Sequence, residues 1–455
     1  MIVMKFGGTS VANPEAIRRT VEIVRTRLHE KPVVVVSAFS KVTDLLYKIA
    51  DQAALKNKVA TDELLNELRI RHLSTAQELL SNSPDLLKIA CEKVGVICDE
   101  LETFVAAVCA LGELSDRSKA TIIANGEYLS SNIICLALNA SGIVTNYSDA
   151  RSMIISNRDY LKAEPVIDEI LARAPGIISH AFSGADAVIT QGFVASTADN
   201  EPTVLGRGGS DYSASLIGMA VDASKIEIWT DVDGVRTADP RVVPNTLCIE
   251  RISFEEAAEM AHFGAKVLHP LTIEPAVRKN IPIYVLNSMN PDGTGTAILQ
   301  SSFIEDGVKS VSFKENILVI NIFSTKMINT SGFLNRVFEI FSNNKVSVDL
   351  ISTSEANISV TVDASQNIEK VVRELSSFAQ VVVDREKSQV SVIGKNIVNL
   401  KGVLRKTFSP LSDCKIYMIS QGASYVNISF VVDREILSDV VCQIHKYLFE
   451  DESSN

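Results

Sequence analysis

Residues 1–19 read MIVMKFGGTSVANPEAIRR, and this stretch decides the fold. Met1 to Phe6 is a short apolar run broken only by Lys5, and Gly7-Gly8 end it. Asn13 is a favoured helix N-cap, and Pro14 suits the first helical position. Ile17, Val21, Val24 and Leu28 then recur at helical spacing. Pro32 to Ser40, PVVVVSAFS, is a second continuous apolar run. Such runs predict strands buried on both faces of a mainly parallel sheet. The opening is therefore a β-α-β unit, which predicts an α/β layered fold.

The pattern continues outward from that unit. Asp51 to Ala140 reads as helices. Sheet signals return at GIVTNYSDA (from Gly142), ADAVITQGF (Ala185 to Phe193) and SKIEIWTDVDGV (Ser224 to Val235), with DYSASLIGMAV as a crossover helix. RISFEEAAEMAHFGAKVL and LTIEPAVRKN predict two further helices, and IPIYVLNS a strand. The turn-rich NPDGTGTAI marks a boundary near residue 290. Beyond residue 310 the chain repeats itself. GFLNRVFEIFSNNKVSVDLISTSEANISVTVD from Gly332 aligns without gaps on GVLRKTFSPLSDCKIYMISQGASYVNISFVVD from Gly402, an offset of 402 − 332 = 70 residues. Two copies are too few for a solenoid and predict a pair of small α+β modules.

Bulk properties narrow the function. The 455 residues are 46% hydrophobic and 22% charged, enough for large cores and about three domains. A net charge of −11 argues against nucleic acid as partner. Seven scattered cysteines without a CxxC pair predict reduced thiols. The start lacks the features of a signal peptide, and no apolar run is long enough to span a membrane. A cytoplasmic protein without membrane contact is expected.

Three clusters carry chemistry. Lys5 runs straight into Gly7-Gly8 and a helix start, a geometry in which bare backbone N–H groups, a helix N-terminus and an ammonium meet an anion. A plain tight turn is the competing reading. LGRGGSDYSAS, Leu205 to Ser215, is a second such cradle, with Arg207 and Asp211 in it. IWTDVDGVRTADPR, Ile228 to Arg241, crowds Asp231, Asp233, Asp239 and Arg241 at a strand end, suited to Mg²⁺ or ribose contacts or to ordinary turn chemistry. Lys266 in FGAKVLHP offers a further charge. Glu127 interrupts an apolar helix, and spacing alone leaves it either solvated or holding a cation. His262 and His269 receive no role.

Taken in order, KFGGTSVA, GRGGSD, WTDVDGV, TADPR and FGAKVLHP resemble the aspartate kinases, of the amino acid kinase superfamily, and the repeat resembles their paired ACT domains. The resemblance covers essentially the whole chain. It implies an amino-acid-kinase-like three-layer α/β/α sandwich at 1–295, followed by two ferredoxin-like ACT modules at 310–385 and 386–455, with strands exchangeable between them. It implies ATP- and Mg²⁺-dependent phosphorylation of the β-carboxylate of L-aspartate to 4-phospho-L-aspartate, the first step towards lysine, threonine, methionine and diaminopimelate. Lys5, Gly7, Gly8 and Lys266 would handle the transferring phosphate. Ser37, Thr43, Glu127, Arg207 and Ser210 would hold aspartate, Glu127 reading its ammonium and Arg207 a carboxylate. Asp211 would orient the lysines, and Thr230, Asp231 and Arg241 would face the nucleotide. Arg236 stands where related lysine-sensitive enzymes often carry an aromatic residue, and is kept as a nucleotide candidate. No protein-only metal site is expected.

KMINTSGFLNRVF and SVDLISTSE resemble the lysine-binding loops of lysine-inhibited members. That implies an effector site of Met327, Thr330, Phe333, Leu334, Ser347, Val348, Asp349, Ser354 and Glu355, and a homodimer or tetramer through the ACT modules. The alternatives are a glutamate or acetylglutamate class kinase, and a non-catalytic amino-acid sensor.

Overall fold

The structure, a computed structural model, describes residues 1–263, 270–328 and 330–450. The chain divides into two compact units: Met1–Val235 with Leu268–Gln300, and Arg236–Val267 with Ser301–Asn455.

In the first unit, strands run in the order Thr145–Tyr147, Ala187–Gln191, Pro32–Val36, Ile2–Phe6, Ile226–Thr230, Ile283–Asn287, Thr296–Leu299. All neighbours are parallel except the last pair. The strands Ile2–Phe6, Pro32–Val36 and Ala187–Gln191 are buried along their whole length, because helices cover both faces of the sheet. Alternation decides which side chain meets which layer. Ile2, Met4 and Phe6 enter a core shared with the helices Pro14–Thr26, Val42–Ala54, Lys58–Leu80, Pro84–Leu111 and Asn125–Ala140. Val3 faces the opposite layer, where the helix Gly209–Ala220 comes so close that a Cβ on Gly218 would lie 3.8 Å from Val3 Cγ2. Lys5, two residues on, shares that side. Asn13 caps the first helix as its sequence predicts, accepting from Ala16 N at 2.9 Å.

His72, within the helical layer, is fully buried. Burial disfavours its imidazolium and lowers its pKa from 6.5 to about 4. The folded state thus excludes a proton that the unfolded chain binds. The stability this contributes is present above pH 6.5 and lost progressively as pH falls towards 4. Urea midpoints at pH 5 and 7 are expected to differ more in wild type than in His72→Phe.

The second unit carries a six-stranded antiparallel sheet in the order Ile351–Thr353, Asn357–Asp363, Gly307–Phe323, Gln380–Lys395, Asn427–Asp433, Met418–Gln421. Its two central strands are long because each serves both modules. Ile317–Phe323 pairs with Asn357–Asp363, whereas Gly307–Lys314 pairs with Gln389–Lys395, and the register shifts between them. The repeat is visible in the helix starts. Phe333–Asn343 and Val403–Phe408 each follow a glycine in the left-handed region, Gly332 at φ 84° and Gly402 at φ 82°. One core forms around Ile320, Val337, Phe341 and Val360, the other around Val392, Phe430, Val441 and Ile444. Ala238 and Val243 join the latter, so the segment after the TDVDGV turn groups with the C-terminal module. Among the described residues no helix is long and apolar enough to cross a membrane.

Candidate active site

The parallel strands end side by side, and the loops that follow Phe6, Val36 and Gln191, with Thr230 at its strand end, surround a cavity of about 460 Å³. This is where open α/β sheets take ligands. Its lining includes Lys5, Gly7, Gly8, Ser37, Thr43, Glu127, Ser210, Asp211 and Thr230.

Lys5, 8% exposed, forms an ion pair with Asp211 in the first turn of the helix Gly209–Ala220. The glycines do steric work. A Cβ on Gly8 would sit 3.1 Å from the Ala38 carbonyl oxygen, and one on Gly7 would sit 3.4 Å from Lys5 Nζ. Gly7 N donates to the Trp229 carbonyl at 3.1 Å, tying the loop to the neighbouring strand. Gly206 and Gly208, at φ 74° and 73°, turn the chain into the helix. The result is a bare backbone cradle with an ammonium and a helix N-terminus beside it, which suits a phosphate.

Glu127 is the second feature. It is 3% exposed, its Oε1 accepts from Ala38 N at 3.2 Å, and its Oε2 is buried without a hydrogen-bond partner. Burial raises its pKa from 4.5 to about 8. A buried carboxyl oxygen without a hydrogen-bond partner, facing a cavity, can accept a cation once the group is ionised.

Several sequence candidates fall elsewhere. Arg207 is exposed and lines an adjoining cavity of about 940 Å³ with Thr43, Lys162 and Arg278. Asp231 is exposed beside Thr230, whose Oγ1 donates to its carboxylate at 3.2 Å. Arg236 and Arg241 belong to the second unit, where Arg236 donates to Thr246 Oγ1 and O at 2.5 Å each and Arg241 pairs with Asp239. Lys266 and His269 lie outside the described residues. Gly192 and Phe193, unremarked in the sequence, press on the site. A Cβ on Gly192 would lie 2.6 Å from Ser210 Cβ, and Phe193 lines the cavity at φ 65°. The available signal was a glycine directly after a buried strand.

In the second unit Asp349 accepts from Lys314 Nζ at 2.6 Å, with His262 Nε2 at 3.8 Å. Met327, Phe333 and Val348 are half-buried against the first module's core, while Thr330, Leu334, Ser354 and Glu355 are exposed. Ser347 is exposed, and its N–H donates to Gln366 Oε1 at 2.6 Å.

A glycine-lined cradle at the strand ends of an α/β sheet, with a buried, partly unsatisfied carboxylate beside it, suits a kinase for a small zwitterionic acid. Residues 1–287 match the amino acid kinase family, and 320–377 and 390–448 match the ACT domain. The chain belongs to the amino acid kinase family and, within it, to the aspartokinases. It is 33% identical to lysine-sensitive aspartokinase 3 of Escherichia coli, covering 99% of both chains. It is 34% identical to chloroplastic aspartokinase 3 of Arabidopsis thaliana, covering 99% of this chain and 82% of that one. The crystal structure of E. coli aspartokinase III in complex with aspartate and ADP, in its R-state, superposes with a TM-score of 0.86 at 33% identity, covering 99% and 100% of the two chains. The same enzyme with lysine and aspartate, in its T-state, gives 0.80 at 32% identity over 99% and 100%.

Proposed function

We propose that this chain phosphorylates the β-carboxylate of L-aspartate with ATP, giving 4-phospho-L-aspartate and ADP, under feedback inhibition by L-lysine. The carrying observation is that one cavity joins a phosphate cradle, with Lys5 beside it, to the orphaned carboxylate oxygen of Glu127. A phosphate donor and an ammonium-bearing acceptor are both provided for.

The chemistry asks for no general base. The aspartate β-carboxylate is ionised at neutral pH, and one of its oxygens forms the new P–O bond as the bond to ADP breaks. The obstacle is repulsion between anions. Lys5 and the Gly8 N–H oppose it by meeting charge on the transferring group, while the Gly7 N–H, donated to the Trp229 carbonyl, holds the loop and the bare Gly7 Cα leaves the phosphate room. Asp211 holds the Lys5 ammonium in place, and Glu127 takes the substrate ammonium. Ser37, Thr43 and Ser210 are assigned to aspartate and Thr230 and Asp231 to the nucleotide. Arg207 is assigned to a substrate carboxylate, and Arg236, Arg241 and Lys266 are retained as nucleotide or phosphate contacts on the family resemblance. Among the described residues no three His, Cys, Asp or Glu side chains gather as a metal ligand set. Mg²⁺ would be held chiefly by the nucleotide's own phosphates, where it would supply charge neutralisation. Seven scattered cysteines without a CxxC pair support a reducing, cytoplasmic setting.

The test is a hydroxamate assay with MgATP and a panel of amino acids. Aspartate alone is expected to yield acyl phosphate. Product from glutamate or acetylglutamate instead, or from no acceptor, would refute the reading.

The effector site is assigned to Met327, Thr330, Phe333, Leu334, Ser347, Val348, Asp349, Ser354 and Glu355. Its support is that the Asp349 carboxylate already accepts an alkylammonium, that of Lys314. Lysine inhibits by favouring the conformer that binds it more tightly. Glu355→Ala is expected to raise the half-inhibitory lysine concentration about 10-fold, the scale of one charge-assisted hydrogen bond, with the uninhibited rate unchanged. Inhibition curves that superimpose would remove Glu355 from the site. A homodimer or tetramer through the ACT modules is supported by exposed Phe323, Leu334 and Ile351 on the first module. Sedimentation equilibrium decides it.

A further inference from the structure

Two residues of the helix Lys58–Leu80 brace the catalytic loops from outside the cavity. Arg71 donates to the Ser40 carbonyl at 2.8 Å and makes a longer approach, 3.5 Å, to the Ala12 carbonyl. Those carbonyls belong to the two loops whose glycine and serine residues line the cavity: the one opened by Gly7-Gly8 and the one from Ser37 to Lys41. His72, the next residue, stacks on Phe39 with ring centroids 5.0 Å apart and planes 11° apart. Its Nδ1 donates to the Leu68 carbonyl at 2.7 Å, which fixes the ring. Phe39 lines the cavity, and neither Arg71 nor His72 does.

The Ser37–Lys41 loop needs such support. Lys41 sits at φ 65°, a left-handed conformation that a non-glycine residue keeps only when its surroundings impose it. The carbonyls of Phe39 and Lys41 start the next helix, accepting from Val42 N at 2.9 Å and Leu45 N at 3.1 Å. The Ser40 carbonyl between them goes to Arg71. The same loop supplies Ala38, whose N–H meets Glu127 at 3.2 Å and whose carbonyl abuts Gly8. A shift here moves the aspartate seat and the phosphate cradle relative to each other.

We propose that Arg71 is a positioning residue for phosphoryl transfer. Its Nη2 donates to the Ser40 carbonyl and also approaches the Ala12 carbonyl at 3.5 Å, setting the two loops in register from one nitrogen, while His72 braces Phe39 from the same helical turn. The proposal rests on the reading of the Lys5–Asp211 cavity as the transfer site.

The test compares Arg71→Ala, Arg71→Lys and Lys5→Ala in steady-state kinetics and thermal melts of the full chain. Arg71→Ala is expected to lower kcat about 10- to 100-fold, the cost of misplacing reacting groups by about 1 Å. Free guanidinium ion, added at concentrations that leave wild type unaffected, should restore part of the loss. Arg71→Lys, which keeps the charge but not the reach and planarity of the guanidinium, should fall between wild type and Arg71→Ala. The proposal is overturned if Arg71→Ala keeps wild-type kcat. It is equally overturned if guanidinium restores nothing and Arg71→Lys shares the full loss together with a fall in Tm. Should Arg71→Ala not fold, Arg71→Lys decides: a reduced kcat at unchanged Tm supports the role, and wild-type kcat ends it. An active Lys5→Ala would instead overturn the reading of the cavity itself.

Discussion

Lys5→Ala is expected to lower kcat by about 10³-fold, in the range found when one preorganised charge at a phosphoryl or oxyanion site is removed. Lys5 is the ammonium that lines the glycine cradle from the central strand, and its side chain is only 10% exposed. Water entering in its place supplies dipoles that must reorganise as charge spreads over the transferring group, so the loss falls on kcat. The same substitution strands the Asp211 carboxylate, 15% exposed, without its partner. Removing one member of a shielded pair is destabilising, so Tm should also drop. Lys5→Ala/Asp211→Asn separates the effects. Its Tm should return towards wild type while its kcat stays low. A single variant that turns over within several-fold of wild type would end the phosphate role of Lys5.

Glu127→Gln should raise the aspartate KM about 10- to 100-fold, matching the 1.5–3 kcal/mol of a hydrogen bond to a charged group, with little change in the KM for ATP. The pH dependence is sharper evidence. Burial holds the free-site carboxyl protonated up to about pH 8. In the proposed complex the substrate ammonium pairs with the carboxylate, so binding below that pH requires losing a proton. The aspartate KM should therefore fall as pH rises from 6 to 8 and level off above. In Glu127→Gln that slope should vanish. A wild-type KM that is flat across this range, or a slope that survives in the glutamine variant, would show that Glu127 does not carry the ammonium.

How much of this was legible beforehand depends on the range of each interaction. The first strand, the Asn13 cap and the glycine pair were readable because a cap, a turn and a buried parallel strand are each specified within a few residues. Gly332 and Gly402 were readable as equivalents because duplication preserved the one residue that takes a left-handed helix start without strain. Glu127 was visible as a charge in an apolar helix; its spacing left its role open, and only the family resemblance implied that it reads the substrate ammonium. Its burial, with one oxygen accepting from Ala38 and the other without a hydrogen-bond partner, is the physical ground for the proposed cation seat. Gly192 and Arg71 were not singled out, since their importance lies in what they touch.

By itself, then, the sequence determined the layered α/β class, the duplicated tail and the chemical character of the cradle, all properties of local backbone preference and residue type. Tertiary structure decided the partnerships. Strand alternation turns Lys5 to the same layer as the helix bearing Asp211, 206 residues away, and sheet order sets the loops after Phe6 and Val36 side by side. It also threads two long strands through both tail modules and groups the segment carrying Arg236 and Arg241 with them. The physical reason is that spacing along a strand or helix fixes which face a side chain takes, whereas the group it meets there depends on packing between elements distant in the chain.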